Sequence, residues 1–353
     1  MISSALTDIN TLADRLAEAG RIVVTTHMRP DGDAMGCSLA MFQFIRKYFK
    51  ADVRIVLNDR YPDSLSFMVS PESGSSILVY QEAKDKALDA ISQADLIISL
   101  DFNGFHRTDG LEEALSSATA YKVLIDHHLN PDTRAFDLIF SRQDVSSASE
   151  LLFHILKSMP ECKGQASALP MEAAEALMTG MTTDSNNFSN STYPSTLAMA
   201  AELMDMGVDR GKILFELYNR YGENRLRLLG HMLKDLMVIT PDGVAYMILD
   251  KATLSRYRIE EGETEGFVNY PLSIGKVRMS ILLKEDEDRI RVSIRSKEGT
   301  SANKCSRLHF NGGGHENAAG GRLMIPEDLS DISQAAEYIE KHTHIFITQE
   351  NEA

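Results

Sequence analysis

Acidic and imidazole side chains gather in this sequence where short apolar runs stop. RIVVTT (21–26) is followed by His27, Asp31 and Asp33 within HMRPDGD, DLIISL (95–100) by Asp101, and YKVLID (121–126) closes on the triplet Asp126-His127-His128. A further acid, Asp184, stands in TGMTTDSNNF at the end of a helical stretch. Each has an ordinary reading when taken alone. Asp31 and Asp33 after Pro30 suit a turn and a helix cap, acids commonly end strands, and paired histidines commonly serve as hydrogen-bonded structure. Together they resist that reading, because side chains with unrelated roles need not all fall at one edge of one sheet. So many carboxylates, left unneutralised, would repel one another at a cost of several kcal/mol.

Divalent cations would remove that cost. Hard carboxylate oxygens mixed with a few imidazoles suit Mn²⁺, Mg²⁺ or Fe²⁺, and the three scattered cysteines, Cys37, Cys162 and Cys305, form no zinc-thiolate pattern. Two such ions, ~3.5–4 Å apart, can share a carboxylate, generate hydroxide near neutral pH and stabilise the attacking and leaving oxygens of an in-line displacement. That is phosphoryl chemistry. His27 and Asp31 would then hold one ion, Asp33, His127 and Asp184 the other, and Asp101 would bridge. His128 is left to donate to a phosphoryl oxygen or to protonate the leaving oxygen.

A second constellation lies far along the chain. Gly312-Gly313-Gly314-His315 can wrap backbone N–H groups around an anion, although three glycines alone usually make only a turn. Arg295-Ser296, at the end of the run RIRVSIRS, adds a planar guanidinium fork suited to phosphate. Arg107, a few residues past Asp101, is a further cation within reach of the first constellation, whereas the neighbouring His106 reads equally as a cleft residue or a solvated loop residue.

Strands that end together are needed to position these groups. From Arg21 to about Val145, β-rich runs alternate with helical stretches, the pattern of a mostly parallel α/β sheet flanked by helices, which binds ligands beyond the carboxyl ends of its strands. After Asp33, the residues Leu39, Phe42, Ile45 and Phe49 keep the spacing of a buried helix face, and Ser147-Ala-Ser-Glu150 reads as a capping box. Further helices are expected around 171–183 and 195–206. A long helical stretch from Asp209 to about Leu236, stopping before Pro241-Asp-Gly, is expected to bridge two domains. Beyond it GVAYMILD (243–250), KVRMSILLK (276–284) and RIRVSIRS (289–296) read as strands around the acidic turn Glu285–Asp288, and a helix closes the chain near 330–342. The expected division is an α/β catalytic domain over 1–208, a helical linker over 209–240, and a smaller α+β domain, rich in antiparallel pairing, over 241–353.

Composition narrows the partners. With 353 residues and a formal net charge of −15, the mean field repels polyanions, which excludes a long-duplex binder held by phosphate contacts but leaves short phosphorylated ligands open. The 3 cysteines suit a reducing compartment. The N-terminal stretch reads as an amphipathic helix rather than a signal peptide, and no apolar run is long enough to span a membrane, so a cytoplasmic protein is expected.

At this point the residues resemble the DHH superfamily of phosphoesterases, named for the triplet that stands here as Asp126-His127-His128. HMRPDGDAMG is similar to its first motif, LIISLD to its second, LIDHHLNP to its third and TTDSNNF to its fourth, in the family's order. RVSIRS followed by NGGGHENAAGG resembles the DHHA1 substrate-binding domain. One departure is Cys37, where the family more often has Ser, a change expected to matter little. The arrangement looks like the nanoRNase / pAp phosphatase branch, in which the two domains face each other across a cleft. That resemblance implies an Mn²⁺-dependent enzyme holding two ions, which hydrolyses short single-stranded oligoribonucleotides to 5′-mononucleotides and dephosphorylates pAp to AMP. It implies substrate binding by Arg295, Ser296, the glycine turn and His315, with length set by the span between domains. A homodimer is left open. Alternatives within the resemblance are a hydrolase of linear dinucleotides such as pApA and an inorganic pyrophosphatase, the latter disfavoured by the GGGH turn and its R-x-S partner. A non-catalytic nucleotide-binding protein is disfavoured by the complete set of acids and imidazoles.

Overall fold

The computed structural model describes residues 2–260, 262–287 and 289–352, and the chain divides into two compact units, Met1–Arg220 and Tyr221–Ala353. Asp288, the last residue of the expected acidic turn, lies outside the described residues.

The first unit is built on six strands: β1 (Arg21–Thr26), β2 (Asp52–Leu57), β3 (Ile77–Val79), β4 (Leu96–Leu100), β5 (Tyr121–Asp126) and β6 (Leu138–Ser141). They lie in the order β3-β2-β1-β4-β5-β6, and every pairing is parallel. Such a sheet is covered on both faces, which is why its strands read as nearly unbroken apolar runs. Ile22, Val24, Ile98 and Ile125 turn to the larger core, and Val23, Ile97 and Leu124 turn to a smaller one on the opposite face. The larger core is closed by helices that include Gly32–Tyr48, Ala148–Ser158, Met171–Asp184 and Pro194–Asp205. β3 and β6, which the sequence reading does not contain, are short edge strands.

The second unit has the strands β7 (Val238–Ile239), β8 (Val244–Leu249), β9 (Met279–Glu285), β10 (Arg289–Ser296), β11 (Gly313–Gly314) and β12 (Ala318–Met324), in the order β11-β12-β10-β9-β8-β7. Four pairings are antiparallel, but β8 and β9 run parallel. The long connection between those two strands, with the helix Lys251–Tyr257 and the 3₁₀ turn Phe267–Ser273, makes the crossover that parallel neighbours need.

The expected single helix over 209–236 is not one helix. Arg210–Tyr218 buries Ile213 and Leu217 in the first unit's core, Glu223–His231 buries Leu228 and Leu229 in the second unit's, and the division between units falls amid the expected linker. The first helix ends at Tyr218 with Asn219 as its cap, and Gly222, in extended conformation, stands at the start of the second. The closing helix is longer than expected, Ala335–Glu352. Among the described residues no helix is long and apolar enough to cross a membrane.

Candidate metal centre

β1, β4 and β5 are neighbours, and the chain order reverses between β1 and β4, which is where open α/β sheets place ligands. His27, Asp101 and His127-His128 therefore leave the sheet side by side at its carboxyl edge. Asp101 is buried in their midst and adopts the left-handed region at φ 63°, uncommon for side-chain-bearing residues though more accessible to Asp than to most. Its Oδ2 lies 3.5 Å from His27 Nε2 and its Oδ1 3.4 Å from His127 Nε2.

Two groups of candidate donors meet at this carboxylate. His27 Nε2 is also 3.9 Å from Asp31 Oδ1, and His127 Nε2 is 3.9 Å from Asp33 Oδ2 and 3.5 Å from Asp184 Oδ2. In each of the trios His27-Asp31-Asp101 and Asp33-Asp101-His127, one donor atom per residue lies within 4.8 Å of the others. Asp31 also fulfils its ordinary reading: its Oδ1 accepts the backbone N–H groups of Asp33 and Ala34, both at 3.0 Å, and caps the helix Gly32–Tyr48. Capping and cation binding are compatible, since a carboxylate has about four acceptor positions.

Asp33 is held from outside its own helix. Its Oδ2 accepts from Ala148 N–H at 2.7 Å and its Oδ1 from Ser149 N–H at 2.9 Å, at the N-terminus of the helix Ala148–Ser158. Asp184 is the last residue of Met171–Asp184, which packs along Gly32–Tyr48. Glycines permit that approach. A Cβ on Gly36 would stand 2.7 Å from Ala176 O, and one on Gly180 would stand 2.9 Å from Asp33 Oδ1.

The electrostatics call for positive charge. Burial disfavours imidazolium at His127, yet Asp101, Asp184 and Asp33 outweigh it and push the group up to about 10. Burial likewise opposes charge on His27, and Asp101 and Asp31 raise it nonetheless. Burial together with Asp101 and Asp184 lifts the Asp33 carboxyl well above the usual range. Asp101 is held well below it, because His127 and His27 prevail over desolvation. Asp101 Oδ1 is a buried oxygen with no hydrogen-bond partner, His127 Nε2 standing 3.4 Å away. Acidic and imidazole donors, a buried oxygen with open acceptor capacity and protons drawn onto histidines fit a cation-binding centre.

His128 is placed differently. Its Nδ1 lies 2.7 Å from Asp126 Oδ1 and 3.7 Å from Asp101 Oδ1, so its nearest partner is the fully buried Asp126. Burial, aided by the charge of Arg107, lowers His128 in spite of Asp126, which keeps the imidazole neutral near pH 7. Arg107 also acts on His27, and its carbonyl accepts Met28 N–H at 2.8 Å, so the loop after β4 brings this cation beside the cluster.

In the second unit, β10 is flanked by β12, and Arg295 pairs in register with Ala318 beside the β11–β12 hairpin that carries the glycines. Three of the N–H groups in the expected anion-binding turn already have partners within the unit. Gly312 N–H donates to Ser306 O, Gly314 N–H to Asn303 Oδ1 and His315 N–H to Ala318 O. The glycines also serve close approach: a Cβ on Gly312 would fall 1.9 Å from Gly320 O, and one on Gly314 2.6 Å from Ala318 O. Ser296 Oγ accepts from Asn317 Nδ2 at 3.0 Å, tying the end of β10 to the hairpin tip. Sequence reasoning missed Asp126 as the partner of His128, the amides that hold Asp33, and Gly180. Only the helix-start motif at 147–150 hinted at one of them.

Residues 21–181 match the profile described as the DHH family, N-terminal domain, and residues 243–341 that of the DHHA1 domain. A curated relative, the bifunctional oligoribonuclease and PAP phosphatase NrnA of Bacillus subtilis, is 27% identical over 88% of this chain and 92% of its own length. The protein of the same name from Thermus thermophilus is 27% identical over 92% and 89%. Among solved structures, an exopolyphosphatase-related protein from Bacteroides fragilis superposes with a TM-score of 0.87 at 32% identity, covering 98% of both chains.

Proposed function

The chain belongs to the DHH family of phosphoesterases, with a DHHA1 domain as its second unit, and on that premise we propose that it hydrolyses short oligoribonucleotides to 5′-mononucleotides and dephosphorylates pAp to AMP. The observation that carries this reading is Asp101, whose two oxygens each face a different histidine, 3.5 Å and 3.4 Å away, with two further groups of acids around them. His27 and Asp31 on one side and Asp33, His127 and Asp184 on the other are the residues that would hold two divalent ions, Mn²⁺ by preference, with Asp101 shared. Bound there, such ions supply Lewis acidity, lower the pKa of water and offset charge on phosphoryl oxygens.

The chain's own groups do the rest. Asp126 accepts the Nδ1–H of the neutral His128 and fixes its ring, so that Nε2 is left as a proton acceptor, able to take a proton from the attacking water and return it to the leaving oxygen. Arg107 places a guanidinium by the same residues and would engage a non-bridging phosphoryl oxygen. In the second unit Arg295, Ser296 and His315 bind the nucleotide, and Gly312, Gly313 and Gly314 shape the hairpin that presents them. With only a few phosphates contacted, the net charge of −15 is no obstacle to a short substrate and disfavours a long one. The free, buried cysteines are in keeping with the cytoplasm, where we place the enzyme.

A panel of pAp, pApA, RNA of two to five nucleotides, a 24-mer and pyrophosphate, run with Mn²⁺, tests the proposal. Mononucleotide from the shortest RNAs and AMP from pAp are expected. Turnover of pyrophosphate alone, or equal turnover per end on the 24-mer, would overturn it.

A further inference from the structure

Glu150 is buried at 0% exposure, yet it carries no role in the chemistry described so far. Its Oε2 accepts three donors: Ser146 N–H at 2.8 Å, Ser146 Oγ at 2.6 Å and Thr196 Oγ1 at 2.6 Å. The expected capping box is therefore only half present. Ser147 Oγ accepts Glu150 N–H at 3.0 Å as a cap should, but the Glu150 carboxylate returns one residue earlier, to Ser146. The displaced arm pins the 146–147 turn to the first turns of two helices, Ala148–Ser158 and Pro194–Asp205, whose N-terminal dipoles favour an anion. Burial disfavours the ionised group, but His154, 3.7 Å away, together with the Ser146, Ser195 and Thr196 hydroxyls holds it down at about 2.

The next two amides are the ones that grip Asp33. Ala148 N–H and Ser149 N–H donate to its two oxygens at 2.7 Å and 2.9 Å, so the orientation of that carboxylate depends on where the 146–149 turn sits. We propose that Glu150 is a positioning residue for the metal centre, which acts by locking this turn so that Ala148 and Ser149 aim Asp33 at the cation. The inference rests on the reading of Asp33 as a ligand. Partners one shell out from a ligand typically change metal affinity 10–100-fold when lost.

Mn²⁺ affinity, read by the EPR signal of free Mn²⁺ on the full chain, tests the inference together with amide exchange of the 145–151 segment. Asp33→Asn serves as the reference, and Ile155→Val, on the buried face of the same helix, as a control that loosens packing without touching the turn. Glu150→Gln should weaken Mn²⁺ binding several-fold, less than the roughly 10–100-fold typical of a lost direct partner of a ligand, and speed exchange at Ala148 and Ser149, while Ile155→Val leaves affinity unchanged. Wild-type affinity in folded Glu150→Gln, with Asp33→Asn impaired, would overturn the positioning role alone. Wild-type affinity in Asp33→Asn would overturn the ligand reading and this inference with it. An equal loss in Ile155→Val would reduce Glu150 to general stability. If Glu150→Gln fails to fold, Ser146→Ala removes one arm only; a several-fold loss supports the role and an unchanged affinity rejects it.

Discussion

Adding one methyl group at Gly180 should damage the centre from behind. The new Cβ would lie 2.1 Å from Ser149 Oγ, 3.0 Å from Ser149 Cβ and 2.9 Å from Asp33 Oδ1. The hydroxyl can rotate away, but Ser149 Cβ and the Asp33 carboxylate are fixed by the Ala148 and Ser149 amides and must shift to reach ordinary contact. Overpacking of this kind costs roughly 1–3 kcal/mol, of which the better helix propensity of Ala returns about 1 kcal/mol. A unit of this size loses ~2–4 °C of Tm per kcal/mol, so the first unit should melt up to ~8 °C lower. A misplacement of 1 Å can cost about a hundredfold in rate, so a shift of half that size should weaken Mn²⁺ binding and turnover about tenfold. Gly230→Ala is the matched control: that glycine, in the helix Glu223–His231, has nothing within 4 Å of its would-be Cβ. The same change there should be neutral or stabilise by up to ~1 kcal/mol. Calorimetry and a Mn²⁺ titration of both variants decide the matter. If Gly180→Ala bound Mn²⁺ like the wild type and melted like Gly230→Ala, the close packing of the two helices would not be what places Asp33.

Other consequences can be checked with purified protein. Asp101→Asn should abolish Mn²⁺ uptake and turnover together while the fold survives, since Asn tolerates the left-handed backbone at φ 63°; retained turnover at saturating Mn²⁺ would contradict the shared carboxylate. His128→Ala should lower kcat far more than metal content, and parallel loss of both would make His128 a ligand. Because His127 is pushed up to about 10 in the ion-free protein, it is protonated at neutral pH and must lose that proton when an ion binds. Mn²⁺ affinity should therefore fall about tenfold per pH unit on acidification below neutrality, and calorimetry in buffers of different ionisation enthalpy should show proton release. Arg295→Ala should raise KM for pAp with little change in rate on a minimal phosphate ester, whereas an unchanged KM would reject its role.

The parallel sheet was legible because β1, β2, β4 and β5 are β-rich runs bounded by turn residues, long enough to be told from helices. β3 and β6, of 3 and 4 residues, are too short to show any period and exist through pairing at the edges. Gly313–Gly314 reads as a turn in sequence, and only the partner strand β12 makes it a strand. The parallel pairing of β8 with β9 depends on a crossover whose helix and 3₁₀ turn carry weak periodicity. The candidate donors were readable because each sits at a strand or helix end. Their supports were not, for a different reason. The amides that hold Asp33 come from about 115 positions away, and nothing in the local pattern at Gly180 announces that a side chain would strike Asp33.

The donors are drawn from His27 at one extreme to Asp184 at the other, across β1, β4, β5 and the helix Met171–Asp184. A polypeptide still leaving the ribosome holds some of them and lacks the rest, and domains tend to fold as units during synthesis. Ion uptake thus waits until the chain has passed Asp184 and the first unit can close, so any shorter nascent chain holds only an incomplete set of donors.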